Sequence, residues 1–245
     1  MPIDIFVVTE GATEREVGKV LYNRNLLNQN GKVNPRDWKS VYGQSREGYG
    51  QVIKALSNYP IKPKQHILLI FDQEDSPSPQ ERASRIAQDL SRQNSKIWSG
   101  LSWDQLGPHS NLFKAQVGGA CIVLHISNAT APNITNRDFD GYILQLLTGP
   151  VKIQIASQLA PSGMNPNVLL NKAEIEFTNL MRCNGFPWQR NKAWLYAYIT
   201  AFQFRQSHVW FAKKVVECAP ENELHRVFAP LIYAWDWLVQ NGGTC

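Results

Sequence analysis

The chain has 245 residues, 43% of them hydrophobic and 18% charged, with a formal net charge of +5. That balance supports a buried core and excludes a disordered chain, while so small a charge, spread along the sequence, favours polyanionic partners only mildly. No apolar run approaches membrane-spanning length and the N-terminus lacks a signal-peptide pattern, so no membrane partner is expected and the setting reads as cytoplasmic.

In chain order, Ile3 to Val8 has the β-branched and aromatic content of a strand buried on both faces, and it runs into Glu10-Gly11. Thr13-Glu14-Arg15-Glu16 reads as a capping box that opens a helix reaching about Asn23, with Gly11 allowing the tight turn before it. A polar connection, Asn25 to Trp38, follows, and Val41-Tyr42-Gly43 reads as a short strand. Gly48-Tyr49-Gly50 precedes a short helix over Gln51 to Leu56. Such a glycine pair either cradles phosphate on backbone amides or makes a plain turn, and no lysine-serine signature follows it.

His66 to Phe71 is a second continuous apolar run, and it ends in Asp72-Gln73-Glu74-Asp75. Two residues apart on an extended chain, Asp72 and Glu74 point the same way. Ser78-Pro79-Gln80-Glu81 is a second capping box, opening a helix to about Gln93. Asn94 to Gly119 reads as irregular. Cys121 to Ile126 is a third buried strand in which His125 is a satisfied core residue, and Asp138 to Leu147 is helical until Gly149-Pro150 stops it. The alternation predicts an α/β domain over residues 1–150 built on a parallel sheet.

From Val151 the pattern changes. Val151 to Leu159 fits a strand or a helix, and then only helices follow, near Val168 to Met181, Asn191 to Phe204, Ser207 to Cys218 and Glu221 to Val239. Residues 151–245 therefore read as a helical accessory region packed on the first domain. Five of the eight tryptophans lie there at helical spacing, which predicts core and not a platform for stacking bases. Cys121, Cys183, Cys218 and Cys245 have no paired spacing and read as reduced, mostly buried thiols.

The chemistry lies in the acids. Glu10 and Asp72 each interrupt an apolar strand at its carboxyl end, where open α/β sheets bind ligands. Brought together, such carboxylates repel unless a cation intervenes. Hard oxygen donors suit Mg²⁺ or Mn²⁺, which takes up the charge of a phosphodiester in transit, and a neighbouring carboxylate can move protons. Glu14 and Glu16 taken singly suit a first helical turn, and Asp75 suits an ordinary turn. No histidine pairs with Cys or Asp at a spacing that supports a nucleophilic triad.

Val8-Thr9-Glu10-Gly11-Ala12-Thr13-Glu14 resembles the glutamate-glycine motif of toprim domains, in the version found in overcoming-lysogenization-defect nucleases and their small relatives. Leu69-Ile70-Phe71-Asp72-Gln73-Glu74 resembles the second toprim motif, an apolar strand ending in Asp-x-Asp, here with Glu74 in place of the second aspartate. The resemblance covers the first 150 residues well and the remainder loosely. It implies a toprim-like Rossmannoid parallel sheet flanked by helices, followed by a mainly helical C-terminal region. It further implies a divalent-metal-dependent nuclease acting on DNA or RNA, with a role in defence against foreign DNA. Glu10, Glu14, Asp72 and Glu74 would be catalytic, and together with Asp75 would hold Mg²⁺ or Mn²⁺. Gly11 would contact nucleic acid, and Arg190 and Lys192 either reach a phosphate from the helical tail, where a cation near the metals stabilises developing charge, or are solvated charges on a helix face. The alternative is a catalytically degenerate module that keeps the fold to bind nucleic acid, nucleotide or a partner protein, including a second copy of itself.

Overall fold

The computed structural model describes residues 5–27, 48–131 and 134–241. The elements run β1 (Ile5–Thr9), α1 (Ala12–Asn23), α2 (Tyr49–Ser57), β2 (His66–Asp72), α3 (Pro79–Gln93), α4 (Ser95–Trp98), β3 (Asp104–Gln105), β4 (Leu112–Val117) and β5 (Ala120–Ser127). Helices then follow: α5 (Asp140–Thr148), α6 (Lys152–Leu159), α7 (Pro166–Asn171), a π-helical stretch (Lys172–Phe177), α8 (Thr178–Cys183), α9 (Asn191–Ala201), α10 (His208–Cys218), α11 (Glu221–Val227) and α12 (Ala229–Gln240). The expected strand at Val41-Tyr42-Gly43 and most of the polar connection before it lie outside the described residues.

Two compact units form, one of Met1–Ser127 with Ala229–Cys245 and one of Asn128–Phe228. The division expected at residues 150 and 151 falls elsewhere for two reasons. The last helix, α12, packs on β2 and β5, and α5 packs among α6, α9, α10 and α11.

In the first unit the strand order is β1-β2-β5-β4-β3. β1 lies parallel to β2 with Thr9 opposite Ile70, and β2 lies parallel to β5 with Asp72 opposite Ser127. β4 and β3 run antiparallel, so the sheet is mixed and not wholly parallel. The reason is local. Gly118 and Gly119 join β4 to β5 with φ of 57° and 79°, and two consecutive left-handed residues make a tight hairpin turn. Its first strand, β4, and its turn lie within the stretch expected to be irregular.

Val8, Leu69, Phe71, Leu124 and Ile126 pack against Val52, Ile53 and Leu56 of α2 and Ala83, Ile86 and Leu90 of α3. The alternate residues Val7, Leu68, Ile70 and Val123 are equally buried, so the strands are covered on both faces, as their unbroken apolar runs predict. Each such side chain contributes on the order of 2 kcal/mol by leaving water.

In the second unit the ambiguous stretch after Val151 is the helix α6. The helix expected near Val168 to Met181 is a longer run whose middle widens to π geometry, where the Thr178 hydroxyl donates to the Ala173 carbonyl five residues back at 3.0 Å. The expected last helix is two helices. Pro230 in the first turn of α12 has no N–H with which to continue α11. Buried Asn191 pins the start of α9 by donating from Nδ2 to the Asp138 carboxylate (2.6 Å) and the Asn136 carbonyl (3.1 Å). Cys183 and Cys218 are not in disulfides, as expected, but Cys183 is exposed and Cys121 is disulfide-bonded, so the reading of four reduced, mostly buried thiols does not stand. No helix among the described residues is long and apolar enough to cross a membrane.

Candidate functional site

The site belongs wholly to the first unit. Because β1 and β2 are neighbours in parallel register, Glu10 and Asp72 come out on the same edge of the sheet. The Glu10 N–H still bonds the Ile70 carbonyl (3.0 Å), extending the ladder by one residue. Its side chain then turns across to β2, where Oε2 accepts from the Asp72 N–H at 3.1 Å. Glu10 is buried, and so is the group that meets it from α3. Arg82 Nη2 donates to the same Oε2 at 3.3 Å, with side-chain exposures of 5% for Arg82 and 10% for Glu10.

Arg82 is itself held from α2. Its guanidinium carbon sits 4.2 Å from the centre of the Tyr49 ring, and the Tyr49 hydroxyl donates to Asp89 Oδ2 at 2.7 Å. Burial, with the Asp89 carboxylate beside it, pushes the Tyr49 hydroxyl well above its ordinary pKa, so it stays protonated and donating. Burial also raises the pKa of Glu10 above the usual carboxylate value. Arg82 and the Asp72 N–H oppose that rise, and the charge of Glu74 adds to it. Desolvation outweighs the ion pair.

The remaining acids are placed less alike than their sequence suggests. β2 ends at Asp72, Gln73 is fully buried, and Glu74 takes a left-handed φ of 52° in an exposed turn with Asp75. Alternation therefore stops before Glu74, and the expectation that Asp72 and Glu74 share a face along an extended chain fails. Glu14 is buried in the first turn of α1, with its carboxylate over Gly11: a Cβ there would lie 2.8 Å from Glu14 Oε2. Gly11 has an extended backbone, so space and not a special φ is what makes glycine suit this position. The expected capping box does not form at Thr13. Gly11 is the N-cap, and Glu16 instead pairs with Lys19 (2.8 Å) and Arg15 (3.3 Å). The box at Ser78 does form, with Ser78 Oγ accepting from the Glu81 N–H at 3.1 Å. Arg190 and Lys192 are exposed residues of the other unit.

Mg²⁺ or Mn²⁺ would need several oxygen donors converging on one point. Among the described residues no three His, Cys, Asp or Glu side chains do so. The acids are of the right type, but Arg82 supplies Glu10 with the positive charge a metal would otherwise bring. As folded, this edge does not fit a divalent ion, and no chemical step follows through one. Three polar atoms buried here have no hydrogen-bond partner: Arg82 Nε, Gln73 Oε1 and Ser127 Oγ.

Arg82 and Tyr49 escaped the sequence reading. The signal was present, since Arg82 stands at i, i+4, i+8 with Ile86 and Leu90, a charge inside an apolar stripe. Comparison with protein-family models, with curated protein sequences and with solved structures gives no match.

Proposed function

We propose that the carboxyl edge of β1 and β2 acts on the phosphodiester backbone of DNA or RNA, as a nuclease of the toprim kind. The observation that supports this best is the meeting of Glu10 and Asp72 across two parallel strands, joined by the 3.1 Å bond from the Asp72 N–H to Glu10 Oε2. Glu10 is the group suited to moving a proton. It is buried, burial raises its pKa above the usual carboxylate value, and Arg82 and the Asp72 N–H fix where its oxygen lies. The dependence on Mg²⁺ or Mn²⁺ that the toprim resemblance implies is not carried by this side-chain arrangement, and the assay tests it by omission.

The Glu10–Arg82 pair favours a second reading, a toprim-like module that has lost catalysis and binds nucleic acid, nucleotide or a partner protein. Incubation of the full chain with supercoiled plasmid, linear duplex and RNA separates the two readings, each with Mg²⁺, Mn²⁺ or EDTA. The nuclease reading expects cleavage that falls about 100-fold or more in Glu10→Gln and in Asp72→Asn. Cleavage indifferent to both substitutions removes the site. Binding without cleavage under every condition establishes the module.

A further inference from the structure

We propose that the helical unit carries a surface for single-stranded nucleic acid along α9 and α10, where the exposed rings of Tyr196 and Trp210 stack bases and neighbouring cations take the phosphates. This deepens the preceding reading by assigning a polymer form and a place of contact, and it rests on that reading only in taking nucleic acid as the partner.

Charge gives the first argument. Between Glu176 and Glu217 the sequence has no acid at all, yet it contains Arg182, Arg190, Lys192, Arg205, Lys213 and Lys214. A net charge of +5 over the whole chain conceals this, because the acids are concentrated elsewhere. Arg190, Lys192 and Arg205 are exposed. The acid that ends the run, Glu217, faces Lys214 at 2.6 Å and Lys213 at 4.0 Å, so it offsets one end of the surface and not its centre.

The rings give the second. α9 buries Trp194, Leu195 and Tyr198, while Lys192, Tyr196 and Thr200, four residues apart in turn, form its exposed stripe. Tyr196 is 49% exposed and Trp210 45%, against the expectation that helical tryptophans here are core. The Tyr196 ring lies 5.9 Å from the ring of His208, the first residue of α10, so α9 and α10 meet beside this exposed ring. Lys213 Nζ then sits 4.5 Å from the centre of the Trp210 ring. An aromatic face beside a cation suits a ligand with both π-faces and anions. A duplex hides its base faces in its own stack, so exposed rings select a single strand.

Fluorescence anisotropy of a labelled oligothymidylate about 20 nucleotides long, titrated with the full chain in EDTA, tests this. The expected result is tighter binding than to a duplex of equal length, weakening with salt. Tyr196→Ala and Trp210→Ala should each weaken binding by about fivefold or more with an unchanged thermal midpoint, and Trp210→Phe should bind like wild type. Lys192→Ala should reduce the salt slope by about 0.7. Equal affinity for duplex, binding indifferent to both alanine variants, or a Trp210-dependent dimer without oligonucleotide binding would each overturn the proposal. Because the titration reads binding alone, in EDTA that suppresses metal-dependent cutting, failure of this surface and failure of the nuclease reading are read separately.

Discussion

Glu10 Oε2 lies 3.3 Å from Arg82 Nη2, and the two side chains are almost entirely withdrawn from water. Taking both charges out of solvent costs several kcal/mol each, which their attraction recovers only with good geometry and further hydrogen bonds. Glu10 has one such bond, from the Asp72 N–H, and Arg82 has the Tyr49 ring beneath it. The pair is therefore not placed here chiefly for stability. It fixes the Glu10 carboxylate at the carboxyl ends of β1 and β2.

Removing one charge should be much worse than removing both. Arg82→Met leaves Glu10 buried without its counterion and is expected to cost about 3–5 kcal/mol, or to protonate Glu10 at neutral pH. Glu10→Gln keeps an acceptor for the Asp72 N–H but strands the guanidinium. The double variant Glu10→Gln, Arg82→Met should recover much of either loss. Urea unfolding of the four proteins gives the coupling, and a sum of single effects equal to the double effect would show that the pair does not interact.

Acid should destabilise the protein through one buried histidine. His125 lies fully buried in β5, and burial pushes its pKa down to about 3 from the ordinary 6.5. Below 6.5 the unfolded chain binds a proton that the folded chain refuses. Stability present above pH 6.5 is therefore lost as pH falls toward 3, at about 1.4 kcal/mol per pH unit. Glu10 has the opposite sign. Its raised pKa means the folded state holds a proton just above 4.5 that the unfolded state has released, so its contribution declines as pH rises through that window. Denaturation midpoints of wild type and His125→Gln between pH 7 and pH 4 should diverge, with the variant flatter; parallel curves refute the assignment.

Gly11 and Glu14 should behave as a coupled pair. A methyl group on Gly11 would press on the Glu14 carboxylate, the far end of a flexible side chain, so the carboxylate and not the backbone must give way. Gly11→Ala is expected to cost about 1 kcal/mol, part of it from placing alanine at an N-cap. In a Glu14→Ala background the steric part vanishes and the cost should shrink. An undiminished cost would mean that Glu14 does not press on this position.

The strands of the first unit were legible because a strand covered on both faces is written as an unbroken apolar run, and β1, β2 and β5 each carry one. The α/β pattern points to a parallel sheet but not to which strands are neighbours, which the β1–β2–β5 order supplies. The turn of the antiparallel hairpin is written at Gly118-Gly119, but its first strand, β4, falls in a stretch that reads as irregular, so its pairing with β5 is not. What sequence does not write is the partner a side chain chooses. Nothing in Glu10-Gly11 or Asp72-Gln73 announces that an arginine ten residues after Asp72 turns back along α3 to meet Glu10. Likewise, helical spacing says which tryptophans share a face, not which face finds a neighbour. Trp235 is fully buried, whereas Trp210 stays 45% exposed beside Lys213.

The tightest backbone approach in the helical unit gives the sharpest prediction. A Cβ placed on Gly141, at the start of α5, would overlap the carbonyl of Ala129 and crowd the Thr130 N–H. Here the obstacle is main chain and cannot rotate away. Three further bonds hold that main chain in place: the Asp138 N–H donates to the Ala129 carbonyl (3.4 Å), Gln145 Nε2 to the Thr130 carbonyl (3.2 Å), and the Thr130 hydroxyl to the Ile134 carbonyl (2.7 Å). Gly141→Ala should therefore cost more than about 3 kcal/mol, in the range kept for severe overpacking, while Gly163→Ala, with open space around it, should cost about 1 kcal/mol for its left-handed φ alone. Thermal unfolding of the two variants side by side checks this, and similar midpoints would show that α5 can move away from the 129–130 segment without loss.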